Sequence, residues 1–237
     1  METPYLYLLI NAFTLIGPLL LSFDKKVAFY EVLPKAIMAA FIVAVPFLIW
    51  DEIFTQAGFW GFNPDYLSGI YISSLPIEEV LFFFTIPIAC TFIYACLNNW
   101  LPENALAAKE KRITSGLFIF LLPLIFIHRE FWYTVTTFSL LAIFLGYLRW
   151  YTETPYMHYV YRAYLVCLIP FCVVNGILTG SMIAEPVVWY NDDAFTSIRL
   201  GTIPFEDFLY GFLLVLANIV VIERLSTRKP GLIRFAK

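Results

Sequence analysis

The chain has 237 residues, of which 61% are hydrophobic and 14% are charged, and its formal net charge is −3. Soluble domains average about 45–50% apolar and about 25% charged residues, so the composition excludes a soluble globule, a disordered chain and a disulfide-rich secreted scaffold. The small net charge and the lack of a basic block argue against a nucleic-acid partner. We therefore predict an integral membrane protein.

Seven apolar segments are candidates for membrane spans, because a helical span needs about 20 apolar residues, with a range of about 17–25. They are residues 4–22, 34–50, 76–97, 113–128, 131–149, 160–180 and 204–222. Only His128, Arg129 and Glu130 divide the fourth segment from the fifth, which could form a tight helical hairpin. Met1–Thr3 lacks a basic region, so the first helix is not read as a cleaved signal peptide. The predicted fold class is all-α, with seven transmembrane helices.

Lysine and arginine are distributed unevenly about these spans. Arg129 and Arg199 fall on one side of the predicted membrane, and the other thirteen of the 15 basic residues fall on the opposite side. Those thirteen are Lys25, Lys26, Lys35, Lys109, Lys111, Arg112, Arg149, Arg162, Arg224, Arg228, Lys229, Arg234 and Lys237. Cytoplasmic loops carry the excess of basic residues, so the N-terminus is predicted outside and the C-terminus in the cytoplasm of a bacterial or archaeal cell.

The outer loops 51–75 and 181–203 resemble each other, and each leads into a helix through a proline, an apolar residue and two acids. The two motifs are Pro76–Glu79 and Pro204–Asp207. Further matched pairs are Asn63 with Asn191, Pro46 with Pro170, and Asp51 with Asn175. Spans 1–3 therefore repeat as spans 5–7 in the same orientation, with span 4 as a connector helix. The predicted domains are residues 1–100, 101–130 and 131–237, with a shared site on the outer side.

The four acids of these motifs, Glu78, Glu79, Glu206 and Asp207, are the predicted catalytic residues. Acids and a proline also suit any helix N-terminus, which is the plain structural alternative. Acids next to lipid are costly and tend to mark function, and neighbouring carboxyls can divide acid and base roles. Since adjacent helical residues point about 100° apart, both members of a pair need not face one pocket. We favour Glu78 and Glu206, and expect Glu78→Gln or Glu206→Gln to abolish most activity in folded protein.

Aromatic and polar residues around the acids form the predicted substrate-binding set. Its members are Trp50, Asp51, Trp60, Phe62, Asn63, Tyr66, Asn175, Trp189, Tyr190, Asn191 and Tyr210. Aromatic faces can shield a carbocation, although Trp and Tyr also gather in ordinary membrane-interface belts. The four cysteines lack metal-site spacing and the chain has no dinucleotide-binding motif. We predict no metal and no nucleotide cofactor.

Six runs of sequence occur together in the two halves: residues 60–64, 66–69, 75–79, 174–180, 186–191 and 201–207. In these runs the chain resembles the membrane lycopene cyclases, in the form that fuses two repeats. The resemblance covers nearly the whole chain and implies conversion of lycopene to β-carotene without flavin or nicotinamide. An acid would protonate C2 of an open ψ-end, the C5–C6 double bond would attack the C1 cation, and a base would remove the C6 proton. The implied partners are lycopene, membrane lipid and other enzymes of carotenoid synthesis.

Three alternatives stay open at this point. A cyclase of the same family could act on C50 carotenoids or form ε-rings, since ring type depends on which proton leaves. Seven spans in two parallel repeats also resemble the SWEET sugar transporters, but transporters hold their polar site near the bilayer midplane. A retinal protein is disfavoured because no lysine lies in the interior of a predicted span.

Overall fold

A computed structural model describes residues 3–101 and 104–226 and contains seven α-helices in that part of the chain. They are α1 (Leu6–Leu21), α2 (Leu33–Gln56), α3 (Ile77–Trp100), α4 (Glu110–Ile127), α5 (Trp132–Trp150), α6 (Met157–Leu178) and α7 (Phe205–Leu225). Each helix coincides with one predicted apolar segment, so the seven helices are confirmed. The tight hairpin between the fourth and fifth segments is confirmed as well, because α4 and α5 are joined by four residues and pack on each other.

Four of the helices, α2, α3, α6 and α7, are long and apolar enough to cross a membrane. Helix α1 is apolar but has 16 residues, which is just below the usual length of a span. Helix α4 begins with three charged residues, Glu110, Lys111 and Arg112. The chain is thus a membrane protein, and seven complete spans remain a prediction. The predicted orientation was drawn partly from Arg228, Lys229, Arg234 and Lys237, which lie outside the described residues.

The described part also contains six short β-strands, which the all-α prediction missed. They are β1 (Trp60–Phe62), β2 (Tyr71–Ile72), β3 (Leu75–Pro76), β4 (Val188–Tyr190), β5 (Arg199–Leu200) and β6 (Ile203–Pro204). The hairpin β2–β3 leads into α3, and the hairpin β5–β6 leads into α7. Ser73 and Gly201 have positive φ at the two hairpin turns, as tight turns of this kind require. Strands of two or three residues are too short to show alternation in a sequence.

The two repeats meet in a reciprocal way. Helix α2 of the first repeat packs on α7 of the second, and α6 of the second packs on α3 of the first. Helices α3 and α7 also contact each other, so the helices that begin with the acidic motifs lie at the centre of the molecule. Such an exchange of equivalent contacts agrees with parallel repeats about an axis along the membrane normal. The domain boundaries remain a prediction.

Strand β1 of the first outer loop pairs antiparallel with β4 of the second. Trp60 lies opposite Tyr190, and Gly61 lies opposite Trp189. A Cβ on residue 61 would stand 2.3 Å from Cζ2 of Trp189, so the absence of a side chain at Gly61 makes room for the indole ring. This small sheet ties the two repeats together at the end of the bundle where α3 and α7 begin.

Candidate functional site

A cavity of ≈ 680 Å³ lies between the two repeats and is lined by residues of α1, α2, α3, α5, α6, α7, β1 and β4. Most of its wall is aliphatic or aromatic. The carboxyl groups on its wall belong to Asp51, Glu79 and Asp207. The aromatic residues on its wall are Tyr7, Phe13, Trp60, Phe62, Phe82, Phe92, Tyr133, Tyr164, Phe171, Tyr190 and Tyr210.

Glu79 and Asp207 are the second acids of the two motifs, and both line the cavity. Each sits in the first turn of its helix, α3 or α7. Pro76 and Pro204 precede these helices as N-cap residues and also end the hairpin strands β3 and β6. A negative charge in the first helical turn is stabilised by the helix dipole. Acids from both repeats are thus brought to one site, as the repeat predicted.

Asp207 accepts three hydrogen bonds from neutral side chains. The hydroxyl of Tyr133 donates to Oδ1 at 2.6 Å. Nδ2 of Asn175 and the hydroxyl of Tyr190 both donate to Oδ2, at 2.7 and 2.9 Å. Hydrogen bonds donated to a carboxylate favour its charged form. The arrangement around Asp207 therefore suits a carboxylate that is held ionised in a fixed orientation.

Glu79 has a different environment in the first repeat. The hydroxyl of Tyr7 donates to its Oε2 at 2.6 Å. The residue equivalent to Asn175 is Asp51, whose Oδ1 accepts from Nε1 of Trp60 at 2.7 Å. The first repeat thus places a second carboxyl where the second repeat has an amide. Two carboxyls at one apolar site cannot both ionise without strong repulsion.

Glu78 and Glu206, the acids that we favoured from the sequence, do not line the cavity. Both side chains are fully buried. Oε1 of Glu78 accepts from the backbone N–H of Ser68 at 2.8 Å, and Oε1 of Glu206 accepts from the backbone N–H of Thr196 at 3.0 Å. Each of these acids anchors the loop that precedes its helix, ten residues upstream. This contact gives the first acid of each motif a structural role, and a catalytic role for Glu78 and Glu206 stays a prediction.

The predicted substrate-binding residues divide into two groups. Those that line the cavity are Asp51, Trp60, Phe62, Asn175, Tyr190 and Tyr210. Those that do not are Trp50, Asn63, Tyr66, Trp189 and Asn191. Asn63 and Asn191 accept from backbone N–H groups two residues later, at 3.0 Å each, and so shape their loops. Their duplication reflects loop geometry.

Trp50, Tyr66 and Trp189 support the site from outside the cavity. The ring of Trp50 lies 4.8 Å from that of Tyr210, so it backs a residue of the wall. Tyr66 is buried in a small apolar cluster that includes Tyr7. Trp189 is 43% exposed and covers Gly61. Burial of the Trp50 and Tyr66 rings around the acid end holds the aromatic wall in place.

Tyr190 lies on β4, next to the cavity. Burial raises the pKa of its hydroxyl well above the usual range, and the neighbouring charge of Asp207 raises that pKa further. The hydroxyl therefore keeps its proton at physiological pH and remains a donor to Asp207. Phe62 is the equivalent residue of the first repeat, so the two centres differ here as well.

Tyr7, Phe82, Tyr133 and Tyr164 line the cavity but were not predicted from the sequence. Tyr7 and Tyr133 occupy equivalent places at the start of α1 and α5, and each donates to the acid of its own repeat. Extending the internal repeat to the first helix of each half would have found this pair. Their partners lie 72 and 74 residues away along the chain, so local sequence carries no sign of the contact.

The sequence model of the lycopene cyclase family matches residues 4–97 and 130–225. The chain belongs to the lycopene cyclase family. The two matched regions fall one in each repeat, so this cyclase is of the fused, two-repeat form. No curated protein and no solved structure matches the chain.

Membership of the lycopene cyclase family makes the chain a carotenoid cyclase, which acts on a lipophilic carotenoid within a membrane. The family also sets aside the transporter interpretation. A cavity with mainly apolar walls and a few carboxyl groups suits a hydrocarbon substrate, because polar walls would lose hydration without gaining hydrogen bonds.

Proposed function

We propose that this cyclase is a lycopene β-cyclase, which converts the ψ-ends of lycopene to β-rings in two rounds, through γ-carotene to β-carotene. The observation that carries the proposal is the meeting of Asp51, Glu79 and Asp207 at one cavity among aromatic side chains. The reaction adds one proton and removes another, so it involves no net oxidation or reduction. An acid, a base and an environment that stabilises a cation are sufficient for it. We expect it to need no flavin and no nicotinamide.

The hydrogen bonds support different roles for the acids of the two repeats. Asp207 receives three hydrogen bonds that favour its ionised form, so we assign it as the base that removes the C6 proton. Glu79 and Asp51 face the same apolar cavity, where repulsion favours retention of one proton between them. We assign this pair, with Glu79 as the donor, as the acid that protonates C2.

Aromatic rings support the cationic stage of the reaction. After protonation the positive charge lies at C1, and after attack by the C5–C6 double bond it lies at C5. Tyr133, Tyr190 and Tyr210 line the cavity close to Asp207, and the rings of Tyr133 and Tyr190 stack at 6.1 Å. Ring faces attract a cation that lies within about 6 Å of the ring centroid, and the carboxylate of Asp207 adds its negative charge. Exclusion of water prevents capture of the cation as an alcohol.

The proposal is tested by expressing the cyclase in bacteria that accumulate lycopene and by analysing the pigments. Formation of γ-carotene and β-carotene is the expected result. Asp207→Asn should leave lycopene unconverted, whereas Asp193→Asn should behave as the wild type, because Asp193 is an exposed acid of the same outer loop. Purified wild type in detergent should convert lycopene without added flavin or nicotinamide. A strict need for reduced flavin would contradict the acid–base mechanism.

Pigment analysis also separates the other members of the family. Rings with the ε double bond would show that the base removes a different proton. Conversion confined to C50 substrates would show that lycopene is not the substrate. Either result would overturn the β-cyclase assignment and leave membership of the family intact.

The proposal includes the orientation drawn from the basic residues, with the acid end of the cavity outside the cytoplasm. A fluorescent protein that folds in the cytoplasm, fused after residue 237, should then fluoresce. The same protein fused before residue 1 and exported by the Sec route should stay dark. The reverse pattern would contradict the orientation and leave the chemistry of the site unchanged.

A further inference from the structure

We propose that the cavity opens to the hydrocarbon interior of the bilayer between α1 and α6, and that a linear polyene enters sideways there. The part of the polyene that is not reacting then lies along α1, in a groove that is open at Gly17. This inference rests on the proposed function, because it takes the substrate to be a long acyclic carotenoid. It adds a route by which the substrate enters and a residue, Gly17, that determines the space available to the polyene.

The cavity is long. It reaches from Tyr7 to Leu21 on α1 and from Glu79 to Ile93 on α3, and each pair is fourteen residues apart. At about 1.5 Å per residue, this is about 21 Å along the helix axes. On α6 the lining residues run from Tyr164 to Leu178, again over fourteen residues. The shape matches a rod with one end at the acids.

Several residues that line the cavity on α1 and α6 are also highly exposed. Phe13 and Leu21 of α1 are 70% and 54% exposed, and Val173 of α6 is 61% exposed. All three line the cavity as well. A side chain can do both when the cavity is open beside it. Since α1 and α6 each pack on α3, the opening lies between them and faces lipid.

The acid end offers a less suitable route. There the wall is formed by Trp60, Phe62 and Tyr190 from the paired strands β1 and β4, which join the two repeats. A hydrocarbon dissolved in the bilayer would have to leave the lipid to pass this end. Lateral access avoids the cost of transferring apolar surface into water.

Gly17 lies in a stripe on α1 that faces the cavity. The stripe contains Tyr7, Ile10, Thr14, Gly17 and Leu21, at the three- and four-residue spacing that marks one face of a helix. A Cβ at Gly17 would meet no atom within 4 Å apart from the neighbouring backbone of its own helix, so we expect a larger side chain there to extend into the cavity. Gly116 on α4 has equally open surroundings but does not line the cavity. Gly116→Trp is therefore a matched control for Gly17→Trp.

The first test measures lycopene binding and turnover in liposomes that contain the purified protein and lycopene. Gly17→Trp should bind less lycopene, seen in the absorption spectrum of the repurified protein, and its kcat/KM should fall roughly tenfold or more. Gly116→Trp should match the wild type in both measurements. Equal binding and turnover in the two variants would overturn the proposed groove. A wild type that binds lycopene but forms no ring would instead contradict the proposed function and leave the groove supported.

The second test addresses the opening itself. Val173→Trp narrows the opening, whereas Ile169→Trp places the same ring one turn earlier on α6, where the side chain is 71% exposed and does not line the cavity. We expect Val173→Trp to slow several-fold the rate at which the protein binds lycopene from the liposome bilayer. Ile169→Trp should leave this rate unchanged. Uptake that is unchanged in both variants would overturn lateral access between α1 and α6.

Discussion

At the residue scale, two adjacent acids at the start of one helix have different surroundings. Glu206 points towards the preceding loop and Asp207 points into the cavity, because neighbouring helical positions diverge by about 100°. The same division holds for Glu78 and Glu79. We infer that each motif combines an anchor for its loop with a reactive group, and the two functions should be separable by mutation.

Asp207→Asn should reduce cyclisation roughly 10²–10⁴-fold, which is the usual contribution of a general acid or base. Glu206→Gln keeps a carbonyl oxygen that can accept from Thr196 and Thr134, so most activity should remain. This reverses the order that we favoured from the sequence. The measurement is pigment conversion per folded protein, with thermal unfolding in detergent as the control. If Asp207→Asn and Glu206→Gln were equally stable and lost equal activity, the division into a reactive acid and a loop anchor would be contradicted.

Removing the acceptor altogether should have a structural effect. Glu206→Leu leaves the N–H of Thr196 and the hydroxyls of Thr196 and Thr134 without their common acceptor. An unsatisfied buried donor costs about 1–3 kcal/mol, so the melting temperature should fall clearly. Glu130→Leu, at an exposed position between α4 and α5, is the control. Unchanged stability of Glu206→Leu would show that the loop does not depend on the anchor.

Tyr190→Phe should cause a smaller loss of activity than Asp207→Asn. It removes one of the three donors to Asp207 and leaves those from Tyr133 and Asn175. A hydrogen bond to a charged group contributes about 1.5–3 kcal/mol, so we expect a loss of roughly tenfold to a hundredfold in kcat. The first repeat has Phe62 at the equivalent position. Full activity of Tyr190→Phe would show that this hydroxyl does not matter to the base.

At the element scale, the pairing of β1 with β4 connects the acid ends of the two repeats. It sets Trp60 beside Tyr133, with ring centroids 5.1 Å apart, and so brings an aromatic residue of the first outer loop to the wall near Asp207. A loop that is fastened at both ends loses less entropy when it orders around the substrate. The strands are short, but their pairing positions the aromatic residues of the cavity wall.

Gly61→Ala should disturb this pairing, because the new Cβ would stand 2.3 Å from Trp189. The indole has to move, so we expect reduced activity and a lower melting temperature. Trp189→Ala in the same chain removes the clash and should restore part of both losses. Purely additive effects of the two substitutions would show that Gly61 and Trp189 are not coupled.

At the scale of the whole molecule, both acidic motifs belong to one cavity. A C40 carotenoid is about as long as the ~30 Å hydrocarbon core of a bilayer, which exceeds the cavity length of about 21 Å along its helices. The second end of the substrate must then lie beyond the cavity while the first end reacts. Helices α3 and α7 contact each other, so their acids cannot hold the two ends of an extended molecule at once.

We therefore expect γ-carotene, the product with one ring, to accumulate early in the reaction and to fall later. The measurement is a time course with limiting enzyme and excess lycopene in liposomes. Free γ-carotene should exceed β-carotene at first, because the half-cyclised molecule has to leave and return in the opposite orientation. A reaction without free γ-carotene at any time would contradict the one-end model.

The sequence by itself determined the class of the protein, its helices, its repeat and its family. Apolar segments of membrane length define helices because the bilayer leaves few other ways to satisfy the backbone. Duplicated motifs such as Pro76–Glu79 and Pro204–Asp207 revealed two equivalent halves, and the family match agrees with them. These features depend on local composition and on order along the chain.

Only the tertiary structure decided which acid of each motif lines the shared cavity. Glu79 and Asp207 differ from Glu78 and Glu206 by one helical position, and the packing of the helices selects the face that lines the cavity. Tyr7 and Tyr133 approach their acids across more than 70 residues of chain. Asn63 and Asn191 repeat at matching positions just as the acids do, yet they shape turns. A sequence records spacing along one dimension, whereas the direction of a side chain and its distant partners arise when the helices pack together.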